Sequence, residues 1–225
     1  IEIAMVQFTY SENGMLFSVP DDGIYSELNE PEQPLPPEIT KLTGITPDML
    51  AGKKIDPIAL QEKVQDCNLI VAHNAAFDRK FVETKWEFFK DKPWACTVYD
   101  IDWMAQGMTA SKLDYLGIQF GFFFDGHRAM EDCQAGIEIL SRELPKTGEL
   151  AMSQLLRNAR LPTFRIYAKG AAYDLREILK RRGYNWNPGD NGKPKAWWID
   201  IGEGELEAET NWLAAEVAVS PQHLP

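Results

Sequence analysis

Residues 70–78 read IVAHNAAFD, and this stretch decides the fold because it joins a short apolar run to a helical segment. Residues 68–72 are mainly apolar, as is typical of a buried strand, and the polar His73 and Asn74 follow directly. The segment from Phe77 to Phe89 has helical character and carries Asp78 in its first turn. A strand followed by a helix predicts an α/β fold with polar groups at one edge of its sheet.

A second segment with the same residue types lies further along the chain, where residues 126–132 read GHRAMED. The pattern from Arg128 to Leu144 predicts a long amphipathic helix with Asp132 at the end of a small, apolar stripe. The other members of the stripe are Ala135, Gly136 and Ile139. A carboxylate on such a face needs a compensating partner, and a metal ion is one such partner.

Two carboxylates and an imidazole are groups that phosphodiester hydrolysis uses. Two divalent cations about 4 Å apart can activate a water molecule and stabilise the leaving oxygen, and Asp oxygens suit Mg²⁺ or Mn²⁺. A histidine with its ordinary pKa of about 6.5 can remove the proton of that water near neutral pH. On this hypothesis Asp78 and Asp132 bind metal, and His127, on the loop that enters the helix, is the general base.

Each of these three residues also has an ordinary explanation. Asp78 could cap its helix, since Asp is favoured at helix N-termini. Asp132 could form a surface ion pair, and His127 could be a loop histidine without a function. The combination of all three favours the nuclease interpretation over the separate explanations.

Composition restricts the class of protein. With 225 residues, 44% hydrophobic and 25% charged, the chain matches a globular protein with one domain of ordinary size and a small second one. We find no apolar run of about 20 residues and no signal-peptide pattern, so we expect no membrane association and a cytoplasmic location. The three cysteines show no CxxC spacing, which argues against a disulfide framework or a zinc cluster.

Charge is distributed unevenly along the chain, whose net charge is −11. Residues 1–161 carry 15 basic and 25 acidic side chains, residues 162–202 carry 8 and 4, and residues 203–225 carry 0 and 5. We therefore predict a catalytic domain over 1–147, a linker over 148–161, a small basic module over 162–202 and an acidic tail over 203–225.

The remaining secondary structure is predicted from local patterns. Residues 30–37 contain four prolines and cannot form a helix interior. Strands are predicted at 1–10, with 14–19 as its hairpin partner, and at 94–98; helices at 37–42, 46–50, 60–66 and 112–116; a loop or short strand at 121–125.

The predicted C-terminal module is a small α+β unit rich in aromatic residues. Its predicted elements are a strand at 164–168, a helix at 173–182 stopped by Gly183, and a strand at 196–200. Its seven aromatic and eight basic side chains suit a surface that stacks bases and contacts phosphates. A unit of about 40 residues also needs large side chains to build a core, so both uses stay open. The acidic tail could be a helix or disordered.

Four segments together resemble the DEDDh (DnaQ-like) 3′-5′ exonuclease family, which includes the epsilon subunit of DNA polymerase III. Residues 70–78 resemble its second motif, and residues 127–132 resemble its third, HxAxxD. Residues 1–6 (IEIAMV) resemble the second strand of that fold, and residues 42–46 (LTGIT) resemble the segment before its central helices. The resemblance covers roughly residues 1–145.

The resemblance implies a fold and a set of site residues. The implied fold is a ribonuclease H-like mixed sheet flanked by helices. Asp78 and Asp132 would be metal ligands and His127 the general base, with Asn74 and Phe77 near the substrate.

The first motif of the family, an Asp-x-Glu on its first strand, has no counterpart here. Glu2 corresponds instead to the acidic residue of the following strand. We therefore expect a sheet without its first strand, in a fragment of an active enzyme whose Asp-x-Glu lies before Ile1. The fragment itself is expected to be impaired in hydrolysis.

The expected function is 3′-5′ exonuclease action on nucleic-acid 3′ ends, with DNA as the expected substrate and two divalent cations, Mg²⁺ or Mn²⁺, as cofactors. The expected partner is a single-stranded DNA or RNA 3′ end, and a DNA polymerase or other replication and repair proteins are further candidates. The alternative is a non-catalytic module, derived from the same family, that binds nucleic acid or a polymerase.

Overall fold

The computed structural model describes residues 2–20, 22–190 and 192–217, together with the backbone of residues 222–224. The chain divides into two compact units, Ile1–Ala159 and Arg160–Pro225. Within the described residues, no helix combines the length and the apolar character needed to cross a bilayer.

Unit 1 begins with an antiparallel ribbon. Strand β1 (Glu2–Val6) pairs with β2 (Ile24–Leu28), with Met5 opposite Tyr25. The predicted hairpin partner, residues 14–19, does pair with the end of the predicted strand. Thr9 exchanges backbone hydrogen bonds with Phe17 and Ser18, and Tyr10 and Leu16 form an isolated bridge. The longer ladder of β1 is instead with β2, which the sequence did not predict.

The predicted strand and helix around residues 70–78 are confirmed. Strand β3 (Ile70–Ala72) pairs in parallel with β4 (Trp94–Cys96), and helix α4 (Ala75–Lys85) connects them. Among the described strands, none joins this parallel pair to the β1–β2 ribbon, so the sheet appears as two separate pairs. This arrangement agrees with the expected mixed α/β fold.

Short helices follow the ribbon where the sequence predicted them. They are α1 (Pro37–Thr43), α2 (Pro47–Leu50) and α3 (Pro57–Val64). Each begins with a proline, which suits the first helical position because its missing amide would have no helical partner there. The side-chain oxygens of Thr46 and Asp56 accept hydrogen bonds from free backbone amides at the starts of α2 and α3.

Three further helices of unit 1 follow β4: α5 (Leu113–Gln119), α6 (Ala129–Leu140) and α7 (Ala151–Ala159). Residues 121–125, predicted as a loop or short strand, form a loop. Helix α6 is shorter than predicted and ends four residues before Leu144.

The predicted linker over 148–161 is wrong, because α7 is a core helix of unit 1. Its residues Ala151, Met152, Leu155 and Leu156 are buried with Leu116 and Ile139 in one hydrophobic cluster. Pro145 and Gly148 mark a turn before α7 and not a domain boundary. The apolar pairs at 151–152 and 155–156 repeat at helical spacing, and this signal was available in the sequence.

Unit 2 is built on an antiparallel sheet. Its strands are β5 (Thr163–Ala168), β6 (Asn185–Asn187), β7 (Ala196–Gly202) and β8 (Gln222–Leu224), in the order β6-β7-β5-β8. Helix α8 (Arg176–Arg181) follows a short 3-10 turn, and α9 (Leu206–Trp212) follows β7. The predicted strands and helix are present, whereas β6 was not predicted.

In the described residues up to 217, the acidic segment is not a separate tail, and part of it forms helix α9, which is the helical alternative considered from the sequence. Leu213 and Val217 are buried in the core of unit 2 with Ile166 and Leu179. The Glu209 carboxylate, itself buried, accepts hydrogen bonds from Arg182 and Tyr184. The acidic segment therefore belongs to the same unit as the basic one, and residues 160–225 together hold nine basic and nine acidic side chains.

The aromatic residues of unit 2 serve mainly its core. Tyr167 and Tyr184 are 2% and 3% exposed, and Trp197 packs against the central cluster. Tyr173 and Trp186 are the more exposed members, at 75% and 48%. Burial and local charge balance thus favour the structural use of most of these side chains over a nucleic-acid surface.

Candidate active site

Asp78 lies in the first turn of α4, just beyond the end of β3. The residue at the N-cap position is Asn74, which adopts a left-handed backbone with φ 64° and ψ 51° and makes no side-chain capping hydrogen bond. Asp78 is the fourth residue of the helix and is half-buried. The alternative that Asp78 caps its helix is therefore not what the structure shows.

Asp132 lies in the first turn of α6 and is also half-buried. Its Oδ1 atom accepts a hydrogen bond of 3.3 Å from the backbone amide of His127. In the described part of the chain, the Asp132 carboxylate accepts a hydrogen bond from this amide and forms no salt bridge with a lysine or arginine side chain. The surface ion pair considered from the sequence is thus not formed there.

The two carboxylates lie within each other's electrostatic field. Burial, together with the negative charge of Asp132, raises the pKa of Asp78 to about 6. Burial also raises the pKa of Asp132, as do the charges of Glu2 and Glu131, although the His127 amide acts in the opposite direction. Bringing together two carboxylates with raised pKa values creates a place where a cation would be stabilised.

His127 lies on the loop before α6 with its side chain exposed. Its φ is 72°, and Asn74 and His127 are the two residues other than glycine with positive φ in the described ranges. Such backbone conformations cost about 1–3 kcal/mol and are concentrated at functional sites. Both strained residues therefore fall inside the two segments that the sequence selected.

Phe77 and Asn74, the predicted substrate contacts, are exposed at the start of α4. The Phe77 ring is 61% exposed and lies 4.9 Å from the ring of Phe81, which is also exposed. Phe81 was not among the residues expected from the sequence, although its i, i+4 spacing from Phe77 was a usable signal. The two rings form an apolar surface next to Asp78 in the chain.

His73 has a structural role that distinguishes it from His127. Its Nδ1 atom lies 2.7 Å from the Thr97 hydroxyl, and Trp103 donates a 2.6 Å hydrogen bond to the Thr97 carbonyl. Burial lowers the pKa of His73, which favours the neutral ring. These contacts connect the end of β3 to the segment after β4 and so support the position of Asn74.

Glu2 is engaged by neighbouring donors. Its carboxylate accepts hydrogen bonds from the Arg128 guanidinium and from the backbone amide of Ala129. Burial raises the pKa of Glu2, but these hydrogen bonds outweigh burial and leave the pKa lowered. The sequence assigned Glu2 no metal-binding role, and nothing in the sequence pattern pointed to its pairing with Arg128, 126 positions away.

The residues present suit a divalent cation in kind. Asp78 and Asp132 offer the hard oxygen ligands that Mg²⁺ and Mn²⁺ take in proteins. Within the described ranges, no group of three or more His, Cys, Asp or Glu side chains is arranged to hold a metal ion. Asp78 and Asp132 are therefore two candidate ligands for such a centre.

Comparison with known proteins identifies the family. Residues 1–140 match the family model for the exonucleases of the RNase T type. The chain belongs to this exonuclease family. The matched range includes both carboxylates, His127 and the strands and helices that position them.

Two curated relatives carry the description DNA polymerase III subunit epsilon. The protein of Treponema pallidum (strain Nichols) is 30% identical over 126 residues, which are 52% of this chain and 59% of the relative. The protein of Aquifex aeolicus (strain VF5) is 31% identical over 127 residues, 53% of this chain and 63% of the relative. The matched part of this chain thus spans about three fifths of the length of these relatives.

Two solved structures were found to be similar to this chain. Exonuclease X in complex with 5′ overhanging duplex DNA has a TM-score of 0.48 at 20% identity, covering 70% of this chain and 90% of that one. A 3′-exonuclease with a histone mRNA stem-loop has a TM-score of 0.41 at 14% identity, covering 98% and 96%.

Proposed function

We propose that the protein is a 3′-5′ exonuclease that hydrolyses phosphodiester bonds at nucleic-acid 3′ ends by a two-metal mechanism, with His127 as the general base. The observation that carries this proposal is that Asp78 and Asp132 come from different helices and lie close enough for the charge of Asp132 to raise the pKa of Asp78. Membership of the exonuclease family supports the same reaction class.

Each residue has a distinct role in the proposed reaction. Asp78 and Asp132 would hold divalent cations, Mg²⁺ or Mn²⁺, which when bound would activate a water and stabilise charge on the leaving oxygen. His127 accepts the proton of the attacking water, and its exposed position on a loop lets the imidazole reach the scissile phosphate. Asn74 and Phe77 contact the terminal nucleotide from the start of α4.

The proposed substrate is DNA with a single-stranded or frayed 3′ end. The descriptions of the curated relatives connect this family with DNA polymerase III, so a DNA polymerase or other replication and repair proteins are the proposed partners, and the cytoplasm is the proposed location. RNA 3′ ends are the second substrate to test, because the side chains named above distinguish no 2′-hydroxyl.

We further propose that the 225-residue chain cleaves weakly by itself. Two carboxylates and one imidazole provide fewer oxygen ligands than two cations take, since Mg²⁺ and Mn²⁺ prefer close to six ligands each. Water molecules would have to supply most of the coordination, which lowers affinity and leaves the cations poorly positioned.

The test is a cleavage assay on single-stranded DNA labelled at its 5′ end. With Mn²⁺, we expect slow shortening in single-nucleotide steps from the 3′ end, blocked by chelation. His127→Ala should lower the rate by about 10²–10⁴-fold, and Asp78→Asn or Asp132→Asn should lower it at least as far. Asp91→Asn, which changes an exposed loop carboxylate, is the matched control and should have no effect.

Two outcomes would contradict the proposal. Undiminished cleavage in His127→Ala would remove His127 as the base. Metal-independent DNA binding with no cleavage, even at high Mn²⁺, would favour the non-catalytic binding module instead.

A further inference from the structure

Glu2 makes a three-donor contact with the segment that carries His127 and Asp132. The Arg128 guanidinium donates from Nη2 to Oε1 at 2.9 Å and from Nε to Oε2 at 3.2 Å. The backbone amide of Ala129 donates to the same Oε2 at 2.9 Å. The Glu2 side chain is 9% exposed, so water competes little for these bonds.

Glu2, on strand β1, accepts a hydrogen bond from a backbone amide at the start of α6 that has no partner within the helix. The N-cap residue Arg128 makes no side-chain capping hydrogen bond of its own, and Ala129 is the first residue of the helix. A carboxylate that accepts a free amide at a helix N-terminus is stabilised by the helix dipole. Glu2 thereby acts as the cap that the local sequence does not provide.

A second contact joins the same two elements further along. The Cys133 thiol, one residue after Asp132, donates to the carbonyl of Ala4 on β1 at 3.4 Å. Strand β1 is thus attached to α6 on both sides of Asp132. The first turn of the helix cannot shift along the strand without breaking both contacts.

The strained backbone of His127 lies between two fixed points. On one side its amide donates to Asp132 at 3.3 Å, and on the other Arg128 and Ala129 are bound to Glu2. A left-handed residue with a side chain persists only where its surroundings determine the conformation. The His127 to Asp132 bond is long, so the contact with Glu2 provides much of that restraint.

We infer that Glu2 is a positioning residue, whose carboxylate holds Arg128 and Ala129 so that His127 keeps its left-handed conformation beside Asp132. This inference rests on the proposed function for its catalytic meaning. The geometry that it predicts can be measured without metal or substrate.

The test uses NMR of the metal-free 225-residue chain, comparing the wild type with Glu2→Gln. The backbone shifts and the amide-to-α-proton coupling of His127 report its φ, and exchange of the Ala129 amide with solvent reports its bond to Glu2. Glutamine keeps one acceptor oxygen and loses the charge and the two-pronged contact with Arg128. We expect His127 to leave the left-handed region and the Ala129 amide to exchange on the order of 10-fold faster.

Two further variants separate positioning from general stability. Arg128→Lys keeps the charge but loses the planar fork, and it should reproduce the His127 change in weaker form. Glu138→Gln removes an ion pair with Arg142 elsewhere on α6 and should leave His127 and Ala129 unchanged. If Glu2→Gln lowers the stability of unit 1 evenly while His127 keeps its φ, Glu2 only fastens β1 to α6 and the inference is wrong.

The catalytic consequence has its own measurement. In the cleavage assay, Glu2→Gln should lower kcat about 10-fold with little change in KM, because a displaced base affects the chemical step and not DNA binding. A change in KM alone would overturn the positioning role. If the wild type neither binds Mn²⁺ nor cleaves DNA, the proposed function fails, whereas the NMR result still decides whether Glu2 fixes His127.

Discussion

Replacing Asp78 by asparagine should stabilise the metal-free protein at neutral pH. Asp78 has a pKa of about 6 in the folded chain, against an ordinary value of 3.8. The folded state therefore disfavours the charged carboxylate, which must be ionised at pH 8. Asparagine has nearly the same shape and never carries this charge.

The expected magnitude follows from the difference between the two pKa values. The difference is about two pKa units, and each unit corresponds to about 1.4 kcal/mol, so the charged side chain costs up to about 3 kcal/mol of folding free energy. For a carboxyl group whose pKa is raised on folding, this loss is absent well below pH 4, grows between about pH 4 and pH 6, and is complete above that. The advantage of Asp78→Asn should follow the same course.

Urea unfolding followed by circular dichroism measures this effect in the presence of a chelator. The free energy of unfolding of Asp78→Asn should exceed that of the wild type by about 2–3 kcal/mol at pH 8 and by less than about 1 kcal/mol at pH 4. Asp91→Asn, at an exposed position, should show no pH-dependent difference. An equal effect of Asp78→Asn at both pH values, or a loss of stability at pH 8, would refute the argument that the ionised Asp78 carboxylate destabilises the folded state.

Three other predictions test separate parts of the structure. Leu155→Ala should destabilise unit 1 by about 2–5 kcal/mol in urea unfolding, because Leu155 is fully buried. A change below about 0.5 kcal/mol would mean that α7 does not contribute to the core of unit 1. Glu209→Gln should lower the stability of unit 2 by about 1–3 kcal/mol, since Arg182 and Tyr184 lose a charged acceptor, and tryptophan fluorescence during unfolding reports it through Trp212; unchanged fluorescence and stability would speak against this contact. His127→Gly should be more stable than His127→Ala by about 1 kcal/mol in thermal unfolding, because only glycine adopts φ 72° without strain; equal stabilities would mean that His127 is not left-handed in solution.

The parts of the fold that sequence could predict are those with local signals. The change from an apolar run to a helix at residues 70–78 is local, and β3 and α4 are found there. The helix proline and glycine signals around Gly44 are local as well. The register of β1 with β2 could not be predicted from a local signal. It depends on where the chain turns before Gly23, and the sequence there has no pattern that distinguishes it from other loops.

The predicted domain boundaries failed for a related reason. Charge changes sign near residues 162 and 203, but charge lies on the surface and does not report which residues share a core. Buried Leu155 attaches α7 to unit 1, and buried Leu213 and Val217 attach the acidic segment to unit 2. Apolar spacing was the better guide at both places.

The candidate site was predictable as a set of residue types but not as a geometry. Asp78, Asp132 and His127 were selected from their motifs, and in the structure the charge of Asp132 helps to raise the pKa of Asp78. The contact of Glu2 with Arg128 joins positions 126 residues apart, and no local pattern encodes such a distance.

The central claim is that Asp78 and Asp132 bind the same divalent cation centre. A Mn²⁺ titration by electron paramagnetic resonance, on the wild type, Asp78→Asn, Asp132→Asn and the double variant, tests it most directly. We predict that each single variant loses nearly as much affinity as the double variant, because either change breaks the shared centre. If the losses add independently, or if Asp78→Asn binds Mn²⁺ as tightly as the wild type, the two carboxylates do not form one site and the proposed mechanism is wrong.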